Sequence, residues 1–414
     1  MDDMSTADPH YLQGSHPYSP LRSWLGVAAI TASLFTFVTT EMMPVGLLTP
    51  MSSSLHVALG IAGLMVTLYG VSSGLGVPFI VAWTRHVNRR LLLTALLAIL
   101  AVGNLVTAAA PNFALVMAVR LVMGFANGAF WAIGVSMAIR LVPARHANRA
   151  ASIALSGISI ATVVGIPLGT FLAGISSWRT TFLIWSGLSA LVFLAVAVTI
   201  PSLPSDHAVS VREVLDLPRV NIRLRQVMVT VVLYVLGHYS AYTFVRPFME
   251  KNAHASSAFI TGLLMVFGVG GAIGNFGAEY LVKKNLKATY LTARAALVLS
   301  LLLLLALGHS RTGALLAVAV WGLALGAANL CQINLMLASA PDRFEAAMSI
   351  NTLGYNLSIA LGALAGGLFA DQSGVSSAVW FGVVLTAASV AVTLFTRQRP
   401  TRNEAPEEVL AAVG

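Results

Sequence analysis

Residues 120–174 read RLVMGFANGAFWAIGVSMAIRLVPARHANRAASIALSGISIATVVGIPLGTFLAG. Two long apolar runs flank a short basic turn. Inside them stand one arginine, many glycines and a G-x-P-x-G motif, in sequence too apolar for a soluble loop. A charge and a proline in hydrocarbon-grade sequence are costly, so neighbouring groups must compensate them. The stretch therefore reads as two membrane-spanning helices, and the rest of the chain can be placed around them.

The composition extends that reading to the whole chain. Of 414 residues, 57% are hydrophobic and only 9% charged, with a mean hydropathy of +0.83. Soluble domains carry about a quarter charged residues, so this chain must be solvated by the lipid bilayer. A span needs about 20 apolar residues, and the length accommodates twelve. They are expected near 24–48, 60–83, 91–110, 112–139, 150–174, 180–200, 225–247, 258–282, 288–308, 312–338, 345–370 and 375–396. The predicted class is an all-α membrane protein, its twelve helices forming two six-helix pseudo-symmetric bundles. The bundles cover 24–200 and 225–396, with a linker at 201–224 and tails at 1–23 and 397–414. The polar start followed by a full-length apolar run, with no small-residue cleavage site, predicts a retained first span.

The net charge of +9 is distributed by topology. Eighteen basic residues fall on the side of the termini and even-numbered connections. Only Arg179, Arg246, Lys251 and Arg311 fall opposite, and Arg120 and Arg294 lie within spans. The positive-inside rule then puts both termini in the cytoplasm, with the protein in the plasma membrane, and removes nucleic acid as a partner. The halves also match at an offset of 198 residues. Gly70 falls on Gly268, Gly76 on Gly274, Gly124 and Gly128 on Gly322 and Gly326, Pro143 on Pro341, and Arg145 on Arg343. Parallel repeats of this kind place a solute site between the halves, near mid-membrane.

Glu41 is the one carboxylate well inside an apolar run. Hydrocarbon disfavours its charged form, which makes it a natural proton carrier or solute contact; a structural role beside Pro44 is the alternative. His238 is the only histidine well inside a span, and Tyr234, His238 and Tyr242 share a helix face. Under the 198-residue shift Thr40 falls on His238 and Glu41 on Tyr239. Arg120, Asn127 and Trp131 share a face of span 4; the arginine needs a partner or a water-filled cavity. Asn329 and Gln332 on span 10, and Asn351 and Tyr355 on span 11, complete the candidate cavity lining, although amides in spans also join helices. Gly157, Gly165, Pro167 and Gly169 on span 5 permit close packing and a bend. The single cysteine, Cys331, has no partner for a disulfide or a metal. No phosphate-binding loop or nucleophile elbow occurs. No cofactor, no metal and no enzymatic reaction are expected.

These motifs resemble the major facilitator superfamily, and within it the twelve-span drug:proton antiporters. T-E-M-M-P-V-G-L-L at 40–48, the R-x-x-x-G-x-x-x-G of Arg120–Gly128, and Gly157–Gly169 with its G-x-P-x-G are similar to that branch. So are the W-R-x-x-F of Trp178–Phe182 and the R-P-F of Arg246–Phe248. The chain looks like the bacterial sugar efflux transporters, or arabinose efflux permeases, over roughly 24–396. Purine nucleoside or base exporters resemble it in L-L-T-P-M at 47–51 and S-L-P at 202–204. The resemblance implies a proton antiporter that exports a small molecule, a sugar or drug-like solute, by alternating access, and a monomer is expected. Glu41, His238 and Arg120 would couple protons, and Arg85, Arg89 and Arg90 would form a cytoplasmic gating turn. That turn departs from the family's D-R-x-G-R-R, since Arg85 replaces the aspartate and Asn88 the glycine. A proton symporter and a non-transporting receptor remain as further readings.

Overall fold

Asn and Ser side chains start half of the fourteen α-helices described. Ser19, Asn88, Asn112, Ser177, Asn221, Ser256 and Ser310 each accept a hydrogen bond from a backbone amide two or three residues on, satisfying donors that a helix end leaves open. Between these caps the backbone has only itself to bond with in lipid, so the runs are helical. The computed structural model describes residues 19–83, 87–202 and 211–395. Its α-helices are α1 (Pro20–Ser54), α2 (Leu59–Trp83), α3 (Arg89–Ala109), α4 (Phe113–Arg140), α5 (Ala147–Ile160), α6 (Ile166–Ile175) and α7 (Trp178–Thr199). After these come α8 (Val211–Val220), α9 (Ile222–Tyr242), α10 (Val245–Asn252), α11 (Ser257–Leu307), α12 (Arg311–Ser339), α13 (Phe344–Ser373) and α14 (Val375–Phe395).

Twelve spans emerge once three breaks are understood. A π turn at Ala161–Gly165 joins α5 to α6 as span 5, where Pro167 removes an amide from the ladder. Helices α9 and α10 meet at 45° as span 7. Helix α11 has 51 residues, about 76 Å at 1.5 Å per residue, more than twice the hydrocarbon thickness. It is broken at Asn285, whose backbone is extended and whose side chain caps the second arm by accepting from the Ala288 amide at 2.9 Å. Spans 8 and 9 are thus separated by a single residue, not by the longer loop the sequence suggests. A second difference lies in the linker, where α8 occupies part of 201–224.

The 198-residue offset reappears as equivalent contacts. A Cβ on Gly124 would meet Tyr69 of α2, and one on Gly322 would meet Phe267 of α11. Likewise Gly128 lies against Ser73 and Gly326 against Gly271; Gly76 lies against Phe125 and Gly274 against Leu323. Each pair is one contact repeated 198 residues later. The packing between the halves repeats too: Gly70 of α2 meets Ala360 of α13, and Gly268 of α11 meets Thr162 of the π turn. The bundles are therefore related by a pseudo-two-fold axis, with spans 2 and 11 and spans 5 and 8 as its isologous seams.

At Gly128 a side chain has nowhere to go, because the Ser73 backbone occupies its position. Gly128→Val is expected to destabilise the protein by about 1–3 kcal/mol, read as a lower melting temperature and folded yield in detergent. Gly187→Ala is the control. Nothing lies within 4 Å of its added Cβ, and its melting temperature should match the parent.

We call the side that bears residues 20 and 395 the terminal face, and the opposite side the far face. The Gly60 amide donates to Asp371 Oδ1 (2.8 Å), Thr49 Oγ1 to Glu250 Oε2 (2.5 Å), and Arg246 Nη1 to the Gly46 carbonyl (2.5 Å). All three bonds join the halves on the far-face side.

Candidate functional site

Helix α1 carries two prolines, Pro44 and Pro50, within its length. A helical proline withholds the amide that would bond the carbonyl four residues earlier. Pro44 therefore orphans the carbonyl of Thr40, and Pro50 that of Gly46. Both carbonyls are met by guanidinium groups. Arg120 of α4, 1% exposed, donates from Nη1 to the Thr40 carbonyl (2.9 Å) and from Nη2 to the Glu41 carbonyl (3.3 Å). Its guanidinium also lies 4.8 Å from the centre of the Tyr69 ring, a cation–π contact. Arg246 of α10 meets Gly46.

Arg120 thus grips the backbone at Glu41. The carboxylate itself, 6% exposed, accepts from Asn127 Nδ2 at 3.3 Å, and the same amide donates to Ser73 Oγ at 3.1 Å. Spans 1, 2 and 4 converge here. Asn104 of α3 joins from behind, donating to Thr40 Oγ1 at 3.3 Å. Arg120 and Asn127, expected on one face, both reach Glu41. Trp131 does not join them. It is partly buried against the apolar core of the first half, one turn nearer the terminal face.

In the second half the expected amides and phenols form one network. Tyr234 Oη contacts Asn329 Oδ1 (3.1 Å) and Gln332 Oε1, Gln332 Nε2 donates to Asn351 Oδ1 (2.6 Å), and Tyr355 Oη donates to Asn329 Oδ1 (3.4 Å). It ties α9, α12 and α13 together. His238 and Tyr242 stand apart from it. His238 Nδ1 accepts from Trp321 Nε1 at 3.0 Å, which puts the proton of the neutral ring on Nε2. Its ring stacks on Tyr242 at 5.1 Å, and Tyr242 on Phe267 at 4.8 Å. Among the described residues, every ring contact of His238, to Tyr239, Tyr242, Phe267 and Trp321, comes from the second half. The face shared by Tyr234, His238 and Tyr242 therefore divides between a polar network and an aromatic stack.

Two tyrosines that were not singled out in the sequence complete the site. Tyr69 lies under the Arg120 guanidinium. Tyr239 packs edge to face against Tyr355 with ring centres 6.4 Å apart. Tyr239 is the 198-residue mate of Glu41. That offset was the available signal.

The span 5 glycines pack α5 and α6 onto α1. A Cβ on Gly157 would strike the Thr31 carbonyl, one on Gly165 the Thr39 side chain, and one on Gly169 would touch Met43. Pro167 sits at the start of α6, directly after the π turn. In the basic turn, Arg85 lies outside the described residues. Arg89 is buried. Arg90 donates to the Ala197 carbonyl of α7, and Asn88, standing where the resembled motif has glycine, caps α3. An apolar groove of about 450 Å³ between α3 and α4, lined by Val102, Gly103, Val122 and Met123 among others, contains no ionisable group and lies away from Glu41.

Comparison with known proteins adds a family and a fold. The model of the Major Facilitator Superfamily matches residues 29–346, more than half of the chain. Three solved structures are similar throughout. A bacterial homologue of the human lysosomal transporter Spinster, inward-facing and unoccupied, shares 15% identity at a TM-score of 0.71, covering 93% of this chain and all of its own. The same homologue, inward-facing and occupied, gives 14% and 0.72 at the same coverage. The human organic anion transporter MFSD10 (TETRAN) gives 17% and 0.69, covering 91% of this chain and all of its own.

Proposed function

The chain belongs to the Major Facilitator Superfamily of membrane transporters, and on that premise we propose that it exports a small polar or amphipathic solute, a sugar or drug-like molecule, in exchange for protons. Membership makes it a multi-pass transporter and not an enzyme. The proton step is carried by one observation. Glu41 is buried among spans 1, 2 and 4, its carboxylate held by a neutral amide while the nearby guanidinium is spent on backbone carbonyls. Such a carboxylate can take up a proton without breaking an ion pair.

In this reading the terminal face is cytoplasmic, as the basic residues favour. Solute enters from that face between the halves. It contacts Glu41, Asn127, Tyr239 and the amide–phenol network of Tyr234, Asn329, Gln332, Asn351 and Tyr355. Solute and proton compete for the Glu41 environment, so each crossing carries one or the other, which is exchange. Span 5, closely packed and broken at its π turn, flexes as the halves rock. His238 shapes the second-half wall through its aromatic stack.

The test is flux in everted membrane vesicles with an imposed pH gradient, acid inside. Labelled sugars and cationic drugs, tried in turn, are expected to include one that accumulates inside and is released by an uncoupler. Accumulation that ignores the uncoupler would end the proton reading. Uphill movement only in right-side-out vesicles would make the protein a symporter.

A further inference from the structure

The two orphaned carbonyls of α1 differ in where their donors come from. Thr40 is served by Arg120, from its own half, so that bond survives any rocking of one half against the other. Gly46 is served by Arg246, from the other half. Arg246 is 6% exposed and is aimed by its own half: Nε donates to Glu250 Oε1 at 2.8 Å and Nη2 to Ser257 Oγ at 3.2 Å. The second oxygen of Glu250 accepts from Thr49 Oγ1 at 2.5 Å. One ion pair on α10 therefore grips α1 at two points, cation to carbonyl and anion to hydroxyl. Pro50, between these two points and the end of the helix, leaves the carbonyl without an internal donor.

We infer that the Arg246–Glu250 pair is the far-face closure of the transport cycle, with Arg246 as a positioning residue whose grip on Gly46 is made in one state and given up in the other. A carbonyl that the helix cannot satisfy needs an outside donor, and a charge-assisted bond in a water-poor seam is a strong one. Separating the halves at the far face replaces that bond with water on both partners. Closure is stabilised by the difference. The segment that the pair holds also carries Glu41, one and a half turns away, so a shift of α1 at the gate moves the backbone that Arg120 clamps. This makes α1 the mechanical link between the site and the gate. The inference rests on alternating access and not on the proton role of Glu41.

The test uses Cys331→Ala as background, since Cys331 is the only cysteine. Cysteines at Ala58 and His309, exposed on the far face in opposite halves, take spin labels, and pulsed dipolar spectroscopy in lipid nanodiscs reads their distance distribution. Arg246→Ala is expected to raise the long-distance, far-face-open fraction roughly tenfold, as expected for loss of a charge-assisted bond. Pro50→Ala restores the missing amide and favours the helix, so it does not endanger folding. It should shift the same distribution in the same direction by a smaller factor. An unchanged distribution in Arg246→Ala overturns the inference, and if that variant cannot be recovered folded, an unchanged distribution in Pro50→Ala overturns it equally. Because the readout needs neither solute nor proton gradient, its failure is separable from failure of the exchange reading.

Discussion

Glu41→Gln is expected to lower accumulation driven by a pH gradient by about two orders of magnitude, while leaving solute binding and solute–solute exchange near the parent level. Glutamine copies the shape of a protonated glutamate and cannot release a proton. Its Oε1 can still accept from Asn127 Nδ2, the bond that Glu41 Oε2 makes at 3.3 Å, so the packing among spans 1, 2 and 4 has no reason to change. The variant is locked as if always protonated. Parent exchange should vary with pH on both sides of the membrane, and the variant's should not. Counterflow at fixed pH separates the outcomes: a variant that exchanges but does not accumulate has lost coupling alone. Full accumulation by Glu41→Gln, still abolished by an uncoupler, would assign the proton to another group.

The fold was legible because lipid removes alternatives. With no water for the backbone, each apolar run has one outcome, and glycines at an offset of 198 marked crossings that the packing then repeats, Gly128 on Ser73 and Gly326 on Gly271. Less legible was the Asn285 break. A run of Lys and Asn reads as a loop, yet one extended residue and one cap are enough to turn the chain. At the site, Glu41, Arg120 and Asn127 were visible one by one because a polar group in hydrocarbon is conspicuous. Their partners were not. Helical period gives the face a side chain occupies, but the neighbour depends on how helices cross. Tyr234, His238 and Tyr242 show this, since one face serves two different neighbours. Tyr69 and Tyr239 were passed over because aromatics in spans usually pack as core. That Pro44 and Pro50 each leave a carbonyl of α1 in need of an outside donor was not read from the sequence; the structure identifies the donors as Arg120 and Arg246.

The pairing of Pro44 with Arg120 predicts a coupling that ordinary contact loss would not give. Arg120→Met removes the donor from the buried Thr40 carbonyl, and leaving that group bare should cost about 1–3 kcal/mol. Pro44→Ala alone should be mild, because the new amide meets a carbonyl that already has a donor. In the double variant the helix supplies its own donor, and much of the stability lost with Arg120 should return. A double-mutant cycle on thermal or denaturant stability in detergent should give an interaction energy of about 1 kcal/mol or more. Strict additivity would mean that Arg120 stabilises the bundle through the Tyr69 ring or general packing, not through the orphaned carbonyl. Transport adds a second reading. If Arg120 only repairs the break at Pro44, the double variant should recover exchange along with stability. If Arg120 also sets the proton affinity of Glu41, stability returns while the pH dependence of exchange stays displaced. That second result is the expected one. Arg120 has no basic counterpart in the repeat, where Val318 stands, and no proline there orphans a carbonyl at the equivalent depth, because Tyr242 occupies the position of Pro44. The arginine, the proline and the carboxylate occur together in one half only, as a single functional unit would.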